Sequence, residues 1–193
     1  MKLAIRSTVF VVVLTVLLGG AYPAAVTAIG HLFWPDRANG SFVTAGGRVV
    51  GSELIGQNFK DPRYLHPRPS AAGKDGYDAT ASAGTNKGAT DADLAKAVAA
   101  AVAAARADRP GDPRPVPADL VTSSCSGLDP HLSPDAAFWQ AARIAKTRGV
   151  AERRVGEVIA RHIERRTFGL LGEPRVNVLL TNLDLDRTLG RRP

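Results

Sequence analysis

The stretch SSCSGLDPHLSP, Ser123 to Pro134, places four serine hydroxyls, one thiol, one carboxylate and one imidazole within twelve residues. Those residue types could hydrolyse an ester or amide, with Ser126 as nucleophile, one of His66, His131 or His162 as base, and Asp129 orienting it. The pattern argues against this chemistry. S-C-S-G lacks the glycine that precedes the serine in G-x-S-x-G. Ser126, Asp129 and His131 also sit three and five positions apart on one tight turn, whereas a triad needs a separately anchored acid. Cys125 has no basic neighbour in sequence to favour its thiolate. Two glycine-rich segments, GKD at Gly73 to Asp75 and GTNKG at Gly84 to Gly88, do not fit the phosphate-cradling G-x-x-x-x-G-K-[ST]. The four histidines show neither H-x-x-x-H nor H-E-x-x-H spacing. A single cysteine excludes an internal disulfide and a cysteine-based zinc site. No cofactor and no metal are therefore expected.

The elements around this turn follow from local signals. Ser133 before Pro134 starts a helix, because the hydroxyl caps free amides and proline suits the first helical position. That helix is expected to run to Gly149 and to bury Phe138, Ala141, Ala142 and Ala145. A short strand is expected before the turn, at Asp119 to Thr122. A further helix is expected from about Ala151 to Arg166, where Val155, Val158, Ile159, His162 and Ile163 form one apolar stripe. Arg175 to Leu180 alternates as a strand does.

Upstream, Thr90 reads as the cap of an alanine-rich helix over about Asp91 to Ala107, with Asp91 and Asp93 favoured by the helix dipole. Phe42 to Thr44 and Arg48 to Gly51 flank Gly46-Gly47 as a hairpin, since glycine reaches the positive φ of a type I′ turn. KDPRYLHPRPS, Lys60 to Ser70, holds three prolines and must be extended or irregular. Ala71 to Thr90 is too polar for core and long for a bare loop, so it reads as a functional loop or one ordered by a partner. Together these predict an α+β domain over 42–193, and 193 residues allow one domain with an appendage.

The appendage is the N-terminus. From Ser7 to Ile29 no charged residue occurs, and about 20 apolar residues suffice to cross the hydrocarbon layer. Lys2 and Arg6 just before this run place residues 1–6 in the cytoplasm and the rest beyond the membrane, after a linker over 30–41. The residues alone leave open a cleaved signal peptide, with Val26-Thr27-Ala28 as the cleavage site. Both readings export the domain. A core helix is disfavoured by the length of the run. The chain carries 25 basic and 18 acidic residues, a net charge of +7. The basic residues form no run of five or six and few aromatics accompany them, so no nucleic-acid partner is expected. The modest excess also argues against a general cation funnel, leaving Asp184 and Asp186 as local candidates.

Four blocks carry a resemblance: GSELIGQNF (Gly51 to Phe59), YLHPRPSAAGKDGYDATASAGTNKGATDADL (Tyr64 to Leu94), VTSSCSGLDPHLSP (Val121 to Pro134) and LGEPRVNVLLTNLDLD (Leu171 to Asp186). In this order and spacing the chain resembles the C subunit of the potassium-transporting Kdp ATPase, over nearly its whole length. The resemblance implies a non-catalytic subunit in a bacterial inner membrane, retained by one transmembrane helix, with an extracytoplasmic domain. Its partners would be a channel-like potassium-translocating subunit, a P-type ATPase subunit and the lipid bilayer. The expected role is assembling or stabilising that complex, with a membrane-anchored extracytoplasmic serine hydrolase as the alternative. Expected subunit contacts are Gly51, Ser52, Gly56, Gln57, Arg68, Pro69, Ser70 and Asn86, with Ser126, Gly127, Leu128, Asp129 and Pro130. A role for SGLDP in nucleotide binding, by likeness to the signature motif of ABC transporters, runs against the topology. Cys125, Ala142 and Thr181 depart from the family's usual residues and bear on fine docking.

Overall fold

The computed structural model describes residues 1–190, which fall into two compact units, one ending at Val50 and the other beginning at Gly51. In the first, α1 (Lys2–Val16), a wide turn of π-helix (Leu17–Ala21) and α2 (Tyr22–Phe33) make one continuous helix. Lys2–Phe33 contains an 18-residue stretch with a mean hydropathy of 2.2, has no buried residue, and by length and composition is a candidate membrane span. At 1.5 Å per residue its 32 residues reach about 48 Å, more than a hydrocarbon core needs. Thr15, a polar group within it, donates its hydroxyl to the Val11 carbonyl at 2.8 Å and so needs no outside partner. One short turn of helix, α3 (Pro35–Ala38), occupies the expected linker. The hairpin follows as β1 (Phe42–Ala45) and β2 (Arg48–Ser52), with Gly46 and Gly47 at φ 58° and 77°.

The second unit is built on α4 (Ala92–Asp108), α5 (Pro134–Trp139), α6 (Ala141–Arg148), α7 (Glu152–Arg161) and α8 (Val178–Leu189). Three very short strands, β3 (His131–Leu132), β4 (Ile163–Glu164) and β5 (Arg175–Asn177), form an antiparallel sheet in the order β3-β5-β4. His131 pairs with Asn177, and Leu132 and Ile163 both face Val176 across the two ladders. The mixed α+β class is as expected, but several elements differ. Asp91, not Thr90, caps α4, accepting from the amides of Asp93 and Leu94 at 2.8 and 3.1 Å. The expected strand at Asp119 to Thr122 is a 3₁₀ turn over Ala118–Leu120, closed by Ala118 carbonyl bonds.

The helix starting at Ser133 does begin there, with the Ser133 hydroxyl accepting from Ala136 N–H, and ends at Gly149 in the left-handed conformation. It is broken at Gln140, however, and its buried side is Ala136, Ala137, Trp139, Ala141, Ile144 and Ala145, while Phe138 and Ala142 are only half-buried. The next helix stops at Arg161, so that Ile163 and Glu164 join the sheet. The expected strand from Arg175 also stops early, at Asn177, whose side chain caps α8 by accepting from Leu180 N–H at 3.1 Å.

The core is one cluster of Leu65, Leu132, Ile144, Val155, Val158, Ile159, Val176, Val178 and Leu185 with small alanines between them. Helix α6 packs on α7 and α7 on α8. Leu65 is fully buried, although it lies in the proline-rich extended segment. No strand pairs with that segment, so its polar backbone must be satisfied otherwise. Five successive carbonyls are served by side chains. Arg143 donates to Pro62 and Tyr64 (2.6 and 3.1 Å), Arg148 to Arg63 (2.8 Å), Asn182 to Leu65 (3.0 Å) and Gln140 to His66 (2.9 Å). The same two amides accept from Leu65 and His66 N–H at 2.7 and 2.8 Å. Gln140 and Asn182 thus do for this segment what a neighbouring strand would do.

His66 gives this clamp a pH dependence. Burial first, and the Arg143 guanidinium 3.3 Å from Nε2 second, hold its imidazole below the ordinary value, while Asp61 and Asp108 oppose them. A histidine held neutral in the fold takes up its proton more readily when unfolded. Stability is therefore fully present above the unfolded value, near pH 6.5, and is lost as pH falls towards the lower folded value. Denaturant melts of the full chain in detergent at pH 7.5 and 5.5 should show a lower midpoint at 5.5. The difference should shrink in His66→Gln, and an equal difference in both proteins would rule His66 out as its source.

Candidate subunit-contact turn

The turn from Ser126 to Pro130 is held through its own carbonyls by four separate segments. Ser126 O accepts from Ala83 N–H and the Ser82 hydroxyl at 3.1 and 3.0 Å, and Gly127 O from the Ser70 hydroxyl at 2.6 Å. Leu128 O accepts from Gly56 N–H at 2.7 Å, and Pro130 O from Val178 N–H at 2.9 Å. Within the turn, Ser126 Oγ accepts from Leu128 N–H at 3.1 Å, and Asp129 Oδ1 from His131 N–H at 2.9 Å. Both are the local side-chain bonds by which Ser and Asp favour turns.

Two glycines allow this closeness. A Cβ at Gly127, whose φ is 65°, would lie 2.7 Å from Ala72 N and 2.8 Å from Ala83 O; one at Gly56 would lie 2.6 Å from Asp129 O. Only a hydrogen fits at either place.

Arg68 supplies the charge. Its Nη1 lies 3.2 Å from Asp129 Oδ2, and its other nitrogens reach the Thr122 and Ser123 carbonyls. Burial pushes the Asp129 carboxyl up, but the His131 hydrogen bonds and Arg68 together outweigh it and hold the group below the usual carboxylate range. Tyr77, in the left-handed region at φ 62°, sends its hydroxyl to the Arg68 carbonyl and its amide to Ser70 Oγ. Burial, with Asp129 nearby, pushes the Tyr77 phenol up, so it remains a donor. The loop from Ala71 to Thr90 is thus ordered through its first half by bonds within this chain. Asp78 N–H adds one more to Ala72 O at 3.1 Å.

Of the expected contact residues, Gly56, Arg68, Ser70 and Ser126 to Pro130 come together here. Ser52 is buried beside them in the chain and accepts from Leu54 N–H at 3.1 Å. The Gln57 side chain lies against Gly51, and Pro69 is exposed between Arg68 and Ser70. Asn86 is exposed at φ 53°, and among the described residues it makes none of the bonds of this turn. Leu54 and Ile55, not named singly among the expected contacts, line one open cleft of about 660 Å³ with Arg68, Cys125, Ser126 and Leu128. Their signal was present: an exposed apolar pair between two glycines in an otherwise polar segment.

For hydrolysis, each of the three candidate bases faces another group. His66 Nε2 lies 3.0 Å from the Asp61 carbonyl, His162 Nε2 lies 3.0 Å from Asp184, and the His131 ring faces Asp129 at 3.7 Å. Asp184 and Asp186 are not open to cations either. Asp184 is paired with Arg161 at 3.0 Å and Asp186 with Arg148 at 2.8 Å. Of the three departures, Cys125 is exposed in the cleft, Ala142 is half-buried, and Thr181 is fully buried with its hydroxyl on Asn177 O. Thr181 therefore bears on the packing of α8 rather than on docking.

The family model described as "K+-transporting ATPase, c chain" matches residues 4–187. The chain is 56% identical to the potassium-transporting ATPase KdpC subunit of Myxococcus xanthus, over 98% of this chain and 89% of that one. It is 49% identical to the KdpC subunit of Koribacter versatilis and 50% to that of Nitratidesulfovibrio vulgaris, each over 97% of this chain and 95% of the other. A match that runs unbroken from the apolar helix through the clamped turn to α8 leaves one conclusion: the chain belongs to the KdpC family of potassium-transporting ATPase subunits.

Proposed function

We propose that this protein is a non-catalytic subunit of a potassium-transporting ATPase complex. It holds a channel-like potassium-translocating subunit together with a P-type ATPase subunit, from a domain outside the cytoplasm anchored by the helix Lys2–Phe33. The observation that carries this reading is the match to the family over residues 4–187. The turn supports it. A catalytic turn presents a nucleophile with a base, whereas this one spends its polar groups on its own rigidity and leaves Ser126, Leu54 and Ile55 exposed. A rigid surface loses little entropy when it docks, which suits an assembling role. The cleft beside Ser126 is the contact surface for the potassium-translocating subunit.

The test is photo-crosslinking in native membranes from an aryl-azide amino acid placed at Ile55. The full-length tagged chain should crosslink to the translocating subunit and, in mild detergent, co-purify both large partners. Recovery of the chain alone under those conditions would overturn the assembling role. Co-purification with crosslinks from a surface position on α4, such as Lys96, but none from Ile55 would overturn the assignment of the cleft.

A further inference from the structure

Beyond β4 the chain turns through Thr167 to Leu171 and returns as β5. Phe168, Leu170 and Leu171 at this tip are 93%, 75% and 60% exposed, the largest apolar exposure in the second unit. A soluble surface seldom carries three large apolar side chains together without a use.

The turn is closed on itself. Thr167 and Leu171 exchange backbone bonds at 2.8 and 3.0 Å, Gly169 N–H donates to Arg166 O at 2.9 Å, and Leu170 N–H to Thr167 O at 3.2 Å. The amides of Thr167, Gly169, Leu170 and Leu171 are thus bonded within the chain, which lowers the cost of bringing this backbone to an apolar medium. Phe168 takes φ 55°, a conformation that non-glycine residues rarely adopt, and this sends the ring outward. Behind the tip stand Arg165, Arg166 and Arg175. Arg166 is held by Glu173 at 2.7 Å and Arg175 by Glu164 at 2.8 Å, while Arg165 is exposed.

We propose that this tip is a lipid-binding wedge: Phe168, Leu170 and Leu171 enter the headgroup boundary of an anionic bilayer, and the exposed Arg165 behind them meets the phosphates. Apolar side chains leading and basic ones following is the order in which amphipathic surface elements meet such membranes. The protein's own anchor brings the surface near. Seventeen residues separate the end of the apolar helix at Phe33 from the second unit at Gly51. Over so short a tether contact is effectively intramolecular, and a weak intrinsic affinity suffices. This inference rests on the helix being retained, which the experiment monitors separately.

Full-length Cys125→Ser protein carrying Phe168→Cys is labelled with an environment-sensitive dye and reconstituted into vesicles. One set is phosphatidylcholine alone; the other contains phosphatidylglycerol; each includes spin-labelled lipid as quencher. A dye on Lys96→Cys serves as the control. We expect stronger quenching at 168 than at 96, greater in the anionic vesicles, and reduced severalfold by Arg165→Glu. Flotation of the chain with the vesicles verifies the anchor independently. An unquenched dye at 168 on floated protein would overturn the wedge, as would quenching indifferent to lipid charge. Shielding that appears only when the other subunits are co-reconstituted would assign the tip to a protein partner instead.

Discussion

Gly127→Val is expected to destabilise the folded domain by about 3–5 kcal/mol, from forcing a β-branched residue into the left-handed region and from overlap with packed atoms. The magnitude follows from what the new side chain meets. The atoms around it are backbone, Ala72 N at 2.7 Å and Ala83 O at 2.8 Å, and cannot swing away as a side-chain end would. Relief would require opening the turn, which would pull Ser70, Ala83 and Gly56 off its carbonyls. Thermal melts of the full chain in detergent, followed through Trp139 and the near-ultraviolet signal, should fall by about 10 °C or more. Gly88→Ala, at a glycine with open space around it, should melt within a degree or two of the parent. A Gly127→Val protein that melted with the parent would mean that the turn is loose, and the rigid surface proposed for subunit contact would go with it.

Arg148→Met is the second large effect, expected at about 3–5 kcal/mol, the usual cost of stripping one partner from a buried ion pair. The Arg148 side chain is 3% exposed and lies 2.8 Å from Asp186. Its nitrogens also serve the carbonyls of Arg63, Leu185 and Gly190, and its guanidinium sits 5.1 Å from the Tyr64 ring centroid. Methionine fills much of the volume but leaves three carbonyls and a carboxylate with fewer donors. Asp186→Asn should cost less, since the arginine keeps its carbonyls and the Tyr64 hydroxyl keeps an acceptor. The double variant should be more stable than the two losses added together predict, because the pair is coupled. Denaturant titration measures all three, and additive losses would show that the pair is incidental.

Where the chain carries its own instructions, the elements were legible. The apolar helix, the Gly46-Gly47 hairpin, the Ser133 cap and the stripe Val155, Val158, Ile159 all depend on neighbours within one or two turns. The errors share a physical cause. Ile163 and Glu164 look helical by period but pair with β5, because Val176 offers Ile163 a core position across the ladder. Val178 to Leu189 was missed because its start depends on the Asn177 cap, and the preceding alternation Arg175, Val176, Asn177 suits a strand equally well. Asp119 to Thr122 has strand composition, yet the Ala118 carbonyl gathers its amides into a tight turn. For the candidate site, the residues of SGLDP were legible as a turn, and Arg68, Ser70 and Gly56 were named only through family resemblance. Nothing local in sequence announces that residues 43 to 72 positions away close on one loop.

The clamp on the proline-rich segment has a consequence for how the protein is made. Leu65 is secured by Asn182 and Tyr64 by Asp186, residues more than a hundred positions later. A ribosome delivers the first partner long before the second, so the nascent domain stays open until α8 emerges, and loop closure over such distances is slow. On the proposed placement of the domain outside the cytoplasm, an unfinished chain is the form that a translocation channel can thread. A message truncated before codon 177 would yield a tethered polypeptide that never closes, and quality-control proteases should clear it.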